Sequence, residues 1–368
     1  MILLDKRILT HFDFIQPILI LPIIVLSHSL IAEANEVLAG KQIVYFGVGF
    51  AVFLGFFIIP IRRLEWLVPI IYWVNIVLLF SVEIFGVTRL GAQRWLEIPF
   101  VHFTIQPSEI MKPAFVLMLA YLIKQNPPPE EGYNLKQFAK LSFYILLPSF
   151  LILKEPDLGT ASVLLLTGYG ILFLIGVNKK IWFSLIVVVV LLSEIGYNSL
   201  HDYQKKRIYD FISQQHTYQV KQSIIAIGNG GLSGKSEKDA TQTRFKFLPI
   251  ATSDFIFSYT AERHGFIATA GIIILYGLLI AHLLSYLLVS KKDYFLQVIS
   301  SGIAILIFIY VSVNILMTIG LAPVVGIPLP FYSYGGSSFI TFMCLFGILQ
   351  NLITFRFDAR YRFIQIRF

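Results

Sequence analysis

Ten apolar stretches, separated by shorter polar segments, follow one another along the chain. Most of them approach the roughly 20 residues that a helix needs to cross a bilayer at about 1.5 Å per residue. Backbone amides in hydrocarbon must be paired within their own segment, so these stretches are predicted to be helices. They cover residues 14–31, 42–60, 66–86, 110–123, 141–153, 158–177, 181–200, 266–289, 295–319 and 337–355.

The composition favours lipid over water as the surrounding solvent. Of the 368 residues, 57% are hydrophobic and 14% are charged, and the mean hydropathy is +0.76. Soluble domains are about 45–50% apolar and about 25% charged. We therefore predict an all-α polytopic membrane protein with about ten transmembrane helices, in which residues 1–368 form a single domain.

Lysine and arginine collect at alternate ends of the predicted helices. Lys6, Arg62, Lys179 and Arg360 fall on the side where these residues are frequent, and the short loops of the other side hold few. The positive-inside rule makes the first side cytoplasmic, with both termini on it. The long segment of about residues 201–265, between helices seven and eight, is then extracytoplasmic. The net charge of +8 is dispersed over loops on both sides, which excludes a nucleic-acid interface and indicates attraction to anionic membrane lipids.

Residue types that form disulfides or metal sites are sparse. Cys344 is the single cysteine of the sequence, so no disulfide can form within the chain. The seven histidines are scattered, and none stands at the spacing of a zinc site. We expect no protein-built metal centre.

Unusual polar residues fall on the outer side, where charges at membrane depth face protein or a water-filled cavity. Glu109 and Lys112 are three residues apart and share one face of a helix. They form either a structural ion pair or a contact with substrate. Asp157 precedes an apolar run and can cap a helix whose amides could meet an anion. A plain structural cap is an equally good interpretation.

The outer segment before the last helix is dense in proline and glycine. Six such residues lie between positions 323 and 336, so no regular helix can form there. Irregular backbone at membrane depth is tolerated where it lines a cavity. This segment is therefore predicted to border one.

Asp254 is an isolated acid between a proline turn and an aromatic run that leads into the eighth apolar stretch. It could be a solvated loop charge, the partner of a buried cation, or a general base. Burial at the interface would raise its affinity for a proton and suit the last role.

Seven outer motifs together resemble the SEDS family, the shape, elongation, division and sporulation proteins. They are GAQRWL at 91–96, QPSE at 106–109, EPDLGTA at 155–161, HDYQ at 201–204, IAIGNGG at 225–231, DFIF at 254–257 and PLPFYSYGGSS at 328–338. The resemblance covers nearly the whole chain. Within the family, GLAPVVGIPLPF is more similar to the elongation member than to the division member.

The resemblance implies a peptidoglycan glycosyltransferase in the bacterial inner membrane that polymerises lipid II on the periplasmic face. It also implies a partner, a class B penicillin-binding protein that crosslinks the new strands. Asp254 matches the family's essential aspartate. The chain departs from the family at Glu262–Arg263, where Glu-Glu is usual, and at PIATS (249–253), where the usual pattern is PE.HT.

The implied reaction assigns roles to several outer residues. Asp254 would be the general base for inverting transfer, and cations would stabilise the departing pyrophosphate. Arg94 and Lys112 rank above Lys154, Arg207, Arg244 and Lys246 because family motifs surround them. A divalent cation, Mg²⁺ or Mn²⁺, could assist. The expected substrate contacts are Arg94, Glu109, Lys112, Asp157, Thr160, Ser333 and Gly335.

Two other functions fit the same pattern. Many helices with broken segments and intramembrane acids also suit a flippase for lipid-linked precursors, although no inverted internal repeat is visible. A non-enzymatic scaffold of the cell-wall synthesis complex is the second alternative.

Overall fold

The computed structural model describes residues 10–89, 92–98, 103–198, 202–213, 217–290 and 293–355, and within these ranges it is mostly helical. Every predicted apolar stretch coincides with a helix. The ten long helices are α1 Ile15–Ala34, α2 Glu36–Ile58, α3 Val68–Phe85, α4 Pro107–Gln125, α5 Leu135–Lys154, α6 Leu158–Ile175, α7 Lys179–Asn198, α11 Ile256–Val289, α12 Tyr294–Thr318 and α13 Gly336–Thr354. The predicted orientation rests partly on basic residues before position 10 and after position 355. These residues lie outside the described part of the chain.

The described residues contain nine helices that are long and apolar enough to cross a membrane. Helix α4 is not among them, so the number of ten crossing segments stays a prediction. Large apolar side chains are exposed along α1, α2, α3 and α7, and no residue of α7 is buried. These surfaces fit contact with lipid. The protein is a multi-pass membrane protein.

Helices α4, α12 and α13 form the centre of the bundle. Most residues of α12 and α13 are buried, and α4 buries an almost continuous run from Met111 to Ala120. Helix α4 packs against α3, α12 and α13, and α13 packs against α2. The outer end of α4 is therefore held on several sides, which fixes the position of its first residues.

A small antiparallel sheet joins α3 to α4 and departs from the predicted all-α architecture. Its strands are β1 Val87–Arg89, β2 Ala92–Ile98 and β3 Phe103–Ile105, in the order β1-β2-β3. The segment is rich in β-branched and aromatic residues, which favour a pleated backbone. The Gln93 side chain donates to the carbonyl of Val82 at the end of α3 (2.9 Å), which ties β2 to that helix.

The long outer segment folds into helices of its own. They are α8 Asp202–Ile212, α9 Tyr218–Gly230 and the single turn α10 Thr241–Arg244. Helix α11 begins at Ile256, ten residues before the predicted start, and breaks at Gly265, where φ is +74°. The long segment between α7 and α11 therefore contains regular helices, and its predicted extracytoplasmic position stays a prediction.

Glycines allow α9 and the turn after it to pack closely on the first part of α11. A Cβ on Gly230 would lie 1.7 Å from the carbonyl oxygen of Ala261, and one on Gly265 would lie 2.3 Å from the amide of Gly234. The amide of Lys235 donates to the carbonyl of Glu262 (2.8 Å). Residues 256–264 are thus fixed from one side, which positions Asp254 two residues before the helix begins.

Candidate functional site

Five elements contribute to the lining of a cavity of about 230 Å³, here called the Asp254 cavity. They are strand β2, the first turns of α4 and α6, the turn before α11, and the proline- and glycine-rich loop before α13. Its lining residues are Arg94, Trp95, Gln106, Glu109, Asp157, Gly159, Thr160, Val163, Ser253, Asp254, Tyr310, Gly326, Ile327, Pro328, Tyr334, Gly335, Ser337 and Ser338. Five of the seven predicted motifs, GAQRWL, QPSE, EPDLGTA, DFIF and PLPFYSYGGSS, therefore meet in one place. IAIGNGG does not line this cavity, and the side chains of HDYQ lie outside the described residues.

The backbone at Asp254 is held by hydrogen bonds from two elements. Asn314 on α12 donates its amide to the carbonyls of Asp254 (2.9 Å) and Ile327 (2.7 Å). In the loop before α13, Ser333 Oγ donates to the carbonyl of Ser253 (2.6 Å), and the amide of Tyr334 donates to the carbonyl of Thr252 (2.9 Å). The irregular segment before α13 therefore helps to position Asp254, because Ser333 and Tyr334 bind the turn that carries this acid.

The Asp254 carboxylate is half-buried and faces the cavity. Ser253 Oγ donates to its Oδ1 at 3.3 Å. Its Oδ2 would lie 3.5 Å from a Cβ placed on Gly326, whose φ is +72°. A larger residue at position 326 would be strained and would crowd the acid.

Arg94 joins β2 to the first turn of α6. Its guanidinium donates to the carbonyls of Glu155 (Nε, 3.3 Å) and Pro156, and its Nη1 lies 3.7 Å from Asp157 Oδ2. Asp157 caps α6 through the amide of Thr160 (3.1 Å) and accepts from the Thr160 hydroxyl (3.0 Å). The predicted cap is present, and Arg94 is held by protein groups at the rim of the cavity.

Glu109 and Lys112 form the ion pair that their spacing predicted. Lys112 is 2% exposed, its ammonium binds Glu109, and it lies 5.2 Å from the centre of the Tyr310 ring. Thr341 Oγ1 is 3.3 Å from the other carboxylate oxygen of Glu109. Glu109 lines the Asp254 cavity and Lys112 lies behind it. The geometry favours the structural role for Lys112.

The predicted cations do not all converge on Asp254. Lys154 Nζ lies 3.3 Å from Glu83 Oε1, and Arg244 and Lys246 line a different cavity. The side chain of Arg207 lies outside the part that the structure describes. Among the described residues, three carboxylates and one guanidinium line the Asp254 cavity, which makes this lining acidic by charge count.

Ser333 and Gly335 differ in their relation to the cavity. Gly335 lines it, whereas the Ser333 hydroxyl accepts from the amide of Leu329 (2.8 Å) and donates to the Ser253 carbonyl. Ser333 therefore positions the turn that carries Asp254. Its contact with substrate, like those of the other predicted residues, stays a prediction.

Sequence reasoning missed Asn314 and Tyr310. Asn314 is an amide inside an apolar stretch, and a polar group at that depth indicates a specific partner. That signal could have identified it. Tyr310 lies one turn earlier on α12 and carries no comparable signal. Glu262, for which no role could be assigned, accepts from the amides of Gln242 (3.0 Å) and Thr243 (2.8 Å) and so anchors α10.

No group of three or more side chains able to hold a metal ion occurs among the described residues. Glu109, Asp157 and Asp254 nevertheless offer carboxylate oxygens to the same cavity. Mg²⁺ is commonly bound by one or two carboxylates together with substrate phosphates. The lining therefore fits an ion that arrives with a phosphorylated substrate rather than a closed protein site.

Glu155 is a buried acid beside the Asp254 cavity. It is 2% exposed, and neither carboxylate oxygen has a hydrogen-bond partner within the described structure. Burial raises the pKa of Glu155 to about 8, the nearby Asp157 and Glu83 act in the same direction, and Arg94 opposes them. The side chain is protonated at neutral pH.

Glu155→Gln should flatten part of the pH dependence of stability. A folded-state pKa above the ordinary 4.5 means that the contribution of Glu155 is fully present below about 4.5 and is lost as pH rises through about 8. Glutamine mimics the protonated form, so above pH 8 the variant should be more stable by about 1–3 kcal/mol. Thermal unfolding in detergent between pH 5 and 9 measures this. Exposed Glu130→Gln is the control, and identical profiles for Glu155→Gln and wild type would refute the assignment.

Comparison with known proteins places the whole chain among related sequences. A family model described as a cell cycle protein (FTSW_RODA_SPOVE) matches residues 3–357. The peptidoglycan glycosyltransferase MrdB of Helicobacter pylori strain 26695 is 56% identical over 358 residues, which cover 97% of this chain and 94% of that protein. MrdB of Escherichia coli K12 is 35% identical over 355 residues, covering 94% of each.

Solved structures share the fold along nearly the full length. The rod shape determining protein RodA of Thermus thermophilus has a TM-score of 0.71 and 26% identity, covering 94% of this chain and 97% of that one. A chain of a peptidoglycan synthase complex, described as coordinating polymerization and crosslinking, has a TM-score of 0.80 and 25% identity. That match covers 93% of this chain and 97% of the other.

Proposed function

The chain belongs to the SEDS family of cell cycle proteins, and from this premise we infer that it is a peptidoglycan glycosyltransferase. It polymerises lipid II into glycan strands during cell elongation, as the similarity to MrdB and RodA supports. The observation that carries the proposal is the position of Asp254. Its carboxylate lies in a cavity that is also lined by Arg94 and the first turn of α6.

Asp254 is the general base. The attacking sugar hydroxyl of the acceptor is too weakly acidic to ionise alone, and a positioned base typically contributes about 10²–10⁴-fold. As the hydroxyl oxygen bonds to the anomeric carbon, its proton passes to the carboxylate, the bond to the polyprenyl pyrophosphate breaks, and the configuration inverts. Hydrogen bonds from Asn314 and Ser333 hold this turn in place before the substrate binds.

The departing pyrophosphate needs positive charge, and the Asp254 cavity supplies little of its own. Arg94 is the one cationic side chain on the described lining, and Asp157 partly neutralises it. A divalent cation would supply Lewis-acid stabilisation of the leaving group, and Asp157 and Glu109 would hold it. Arg94 and the Thr160 end of α6 would orient the phosphates.

Removal of divalent cations should therefore slow strand synthesis by at least about tenfold, since a bound metal supplies several kcal/mol to such a transition state. The rate of glycan formation from labelled lipid II is measured with EDTA and after return of Mg²⁺ or Mn²⁺. EDTA presaturated with Mg²⁺ is the control for effects of the chelator itself. An undiminished rate in EDTA would remove the metal from the proposal.

The proposed active site faces the periplasm and both termini lie in the cytoplasm of a bacterial inner membrane. The distribution of basic residues supports this orientation. The partner is a class B penicillin-binding protein, and the likeness to a chain of a synthase complex supports it. Apolar surfaces such as that of α7 meet membrane lipid or the polyprenyl chains.

A reconstituted assay separates the proposed function from its two rivals. The purified chain and its partner are placed in liposomes with labelled lipid II, and both long strands and headgroup exposure are scored. A polymerase forms glycosidic bonds. A flippase moves headgroups without forming them, and a scaffold does neither. Headgroup movement with no strand formation by the pair would overturn the proposal.

A further inference from the structure

A second outer cavity lies on the other side of the turn that carries Asp254. This cavity, here called the Arg244 cavity, has a volume of about 450 Å³ and opens between the α1–α2 junction and the segment before α11. Its lining residues are Glu33, Ala34, Asn35, Leu38, Glu237, Thr243, Arg244, Lys246, Leu248, Pro249, Ile250, Ala251, Thr252, Tyr259 and Arg263. None of the residues that line the Asp254 cavity contributes to it.

The charge of the Arg244 cavity is opposite to that of the Asp254 cavity. Three basic side chains and two acidic ones line it. Arg263 and Glu33 form an ion pair with each other. Arg244 uses Nη1 on the carbonyl of Lys238 (3.0 Å), which leaves most of its five N–H donors for a ligand. The exposed Arg244 and Lys246 therefore give this cavity an excess of positive charge.

The two cavities share a wall of a few residues. Ala251 and Thr252 line the Arg244 cavity, and the next two residues, Ser253 and Asp254, line the Asp254 cavity. The Thr252 carbonyl accepts from the amide of Tyr334, which fixes this wall. A group bound in the Arg244 cavity therefore lies beside the proposed base, separated from it by one short backbone segment.

The proposed reaction requires two diphosphates at once. The donor sugar carries a polyprenyl diphosphate that leaves, and the acceptor, itself a lipid-linked disaccharide, carries another that stays. A single acidic cavity is poorly suited to hold both, because like charges at close range repel. The basic cavity across the wall supplies the second position.

We propose that the Arg244 cavity binds the diphosphate of the lipid-linked acceptor, with Arg244 and Lys246 contacting its phosphates. This assignment rests on the proposed function. The acceptor's diphosphate is then held on one side of the wall while its sugar reaches around to Asp254 on the other. Charge-assisted hydrogen bonds from arginine and lysine are the usual means of phosphate recognition.

Direct binding tests the site without requiring catalysis. The full chain in nanodiscs is titrated with farnesyl diphosphate, as wild type, as Arg244→Gln/Lys246→Gln, and as Lys235→Gln/Lys238→Gln. The last variant is a matched control, because it removes the same charge from exposed positions of the same segment that do not line the cavity. The first variant should bind at least about tenfold more weakly and the control within about twofold of wild type. Equal affinity in all three would overturn the proposal.

A lipid headgroup offers similar phosphate chemistry, and a second arm distinguishes it. The titration is repeated in nanodiscs with and without phosphatidylglycerol. Unchanged affinity for farnesyl diphosphate supports a diphosphate site. Displacement of the probe by phosphatidylglycerol in wild type but not in Arg244→Gln/Lys246→Gln would show a headgroup site and overturn the assignment.

Kinetics separates failure of this site from failure of the proposed function. In strand synthesis, Arg244→Gln/Lys246→Gln should raise the KM for lipid II by about tenfold and change kcat less, because the residues bind without reacting. Normal KM in an active enzyme would overturn the second site and leave the polymerase intact. If wild type makes no strands, the proposed function fails, and the farnesyl diphosphate titration still decides whether the cavity binds a diphosphate.

Discussion

Asp254→Asn should lower the rate of strand synthesis by about 10²–10⁴-fold while the protein folds and binds its partner normally. Asparagine has nearly the same shape as aspartate but cannot take the proton of the attacking hydroxyl. The hydrogen bonds that hold this turn use the backbone carbonyls of Ser253 and Asp254, which the substitution retains. The initial rate of glycan formation from labelled lipid II measures the effect, and co-purification measures partner binding.

Asp239→Asn is the matched control for that variant. Asp239 is an exposed acid of the same outer segment, where it accepts from the hydroxyl of Ser236 (2.6 Å), and it does not line the Asp254 cavity. Its variant should keep a rate within about twofold of wild type. Wild-type synthesis by Asp254→Asn would remove the base from the account and make lipid translocation the better explanation.

The second large effect is expected from Lys112→Met. The substitution keeps an unbranched side chain, one atom shorter than lysine, but leaves the partly buried Glu109 without its cation. Breaking one side of a buried pair costs about 3–5 kcal/mol. Glu109 also lines the Asp254 cavity, so its displacement should reduce strand synthesis as well. Thermal unfolding in detergent and the rate of synthesis are measured together.

A double variant distinguishes a structural pair from a direct contact with substrate. Glu109→Gln/Lys112→Met removes both charges, and replacing a whole buried pair is often close to neutral. Its stability should return to within about 1.5 kcal/mol of wild type. Lys112→Met as stable as wild type would contradict the ion pair, and a double variant as unstable as Lys112→Met would contradict the coupling between the two residues.

The length of the apolar runs was sufficient to locate the ten long helices of this chain. A segment that crosses a bilayer needs about 20 residues and must pair its backbone amides internally. Apolar runs such as 14–31 and 295–319 therefore form helices. The edges were less predictable where protein, rather than lipid, surrounds the helix. Helix α11 begins at Ile256 because glycines of the α9 segment pack against its first part, and no local pattern in 256–264 reveals that contact.

The spacing of residues in the sequence predicted contacts within one helix, but it could not predict contacts between different helices. The pairing of Glu109 with Lys112 and the cap formed by Asp157 are local, and both are present. The ranking of Arg94 and Lys112 as cations for the pyrophosphate could not take account of the groups that other elements bring to them. Arg94 is held by carbonyls at the start of α6, and Lys112 is buried. Arg244 and Lys246 are close in sequence, but the cavity that they form with residues 33–38 of the α1–α2 junction depends on contacts between elements that are distant in sequence.

A structure of the protein with an unreactive donor and lipid II bound tests the central claim most directly. We expect the Asp254 carboxylate within about 2.6–3.2 Å of the sugar hydroxyl that attacks the donor, with the departing diphosphate on the side of Arg94. An attacking hydroxyl bound beyond the reach of Asp254, either directly or through one water, would contradict it.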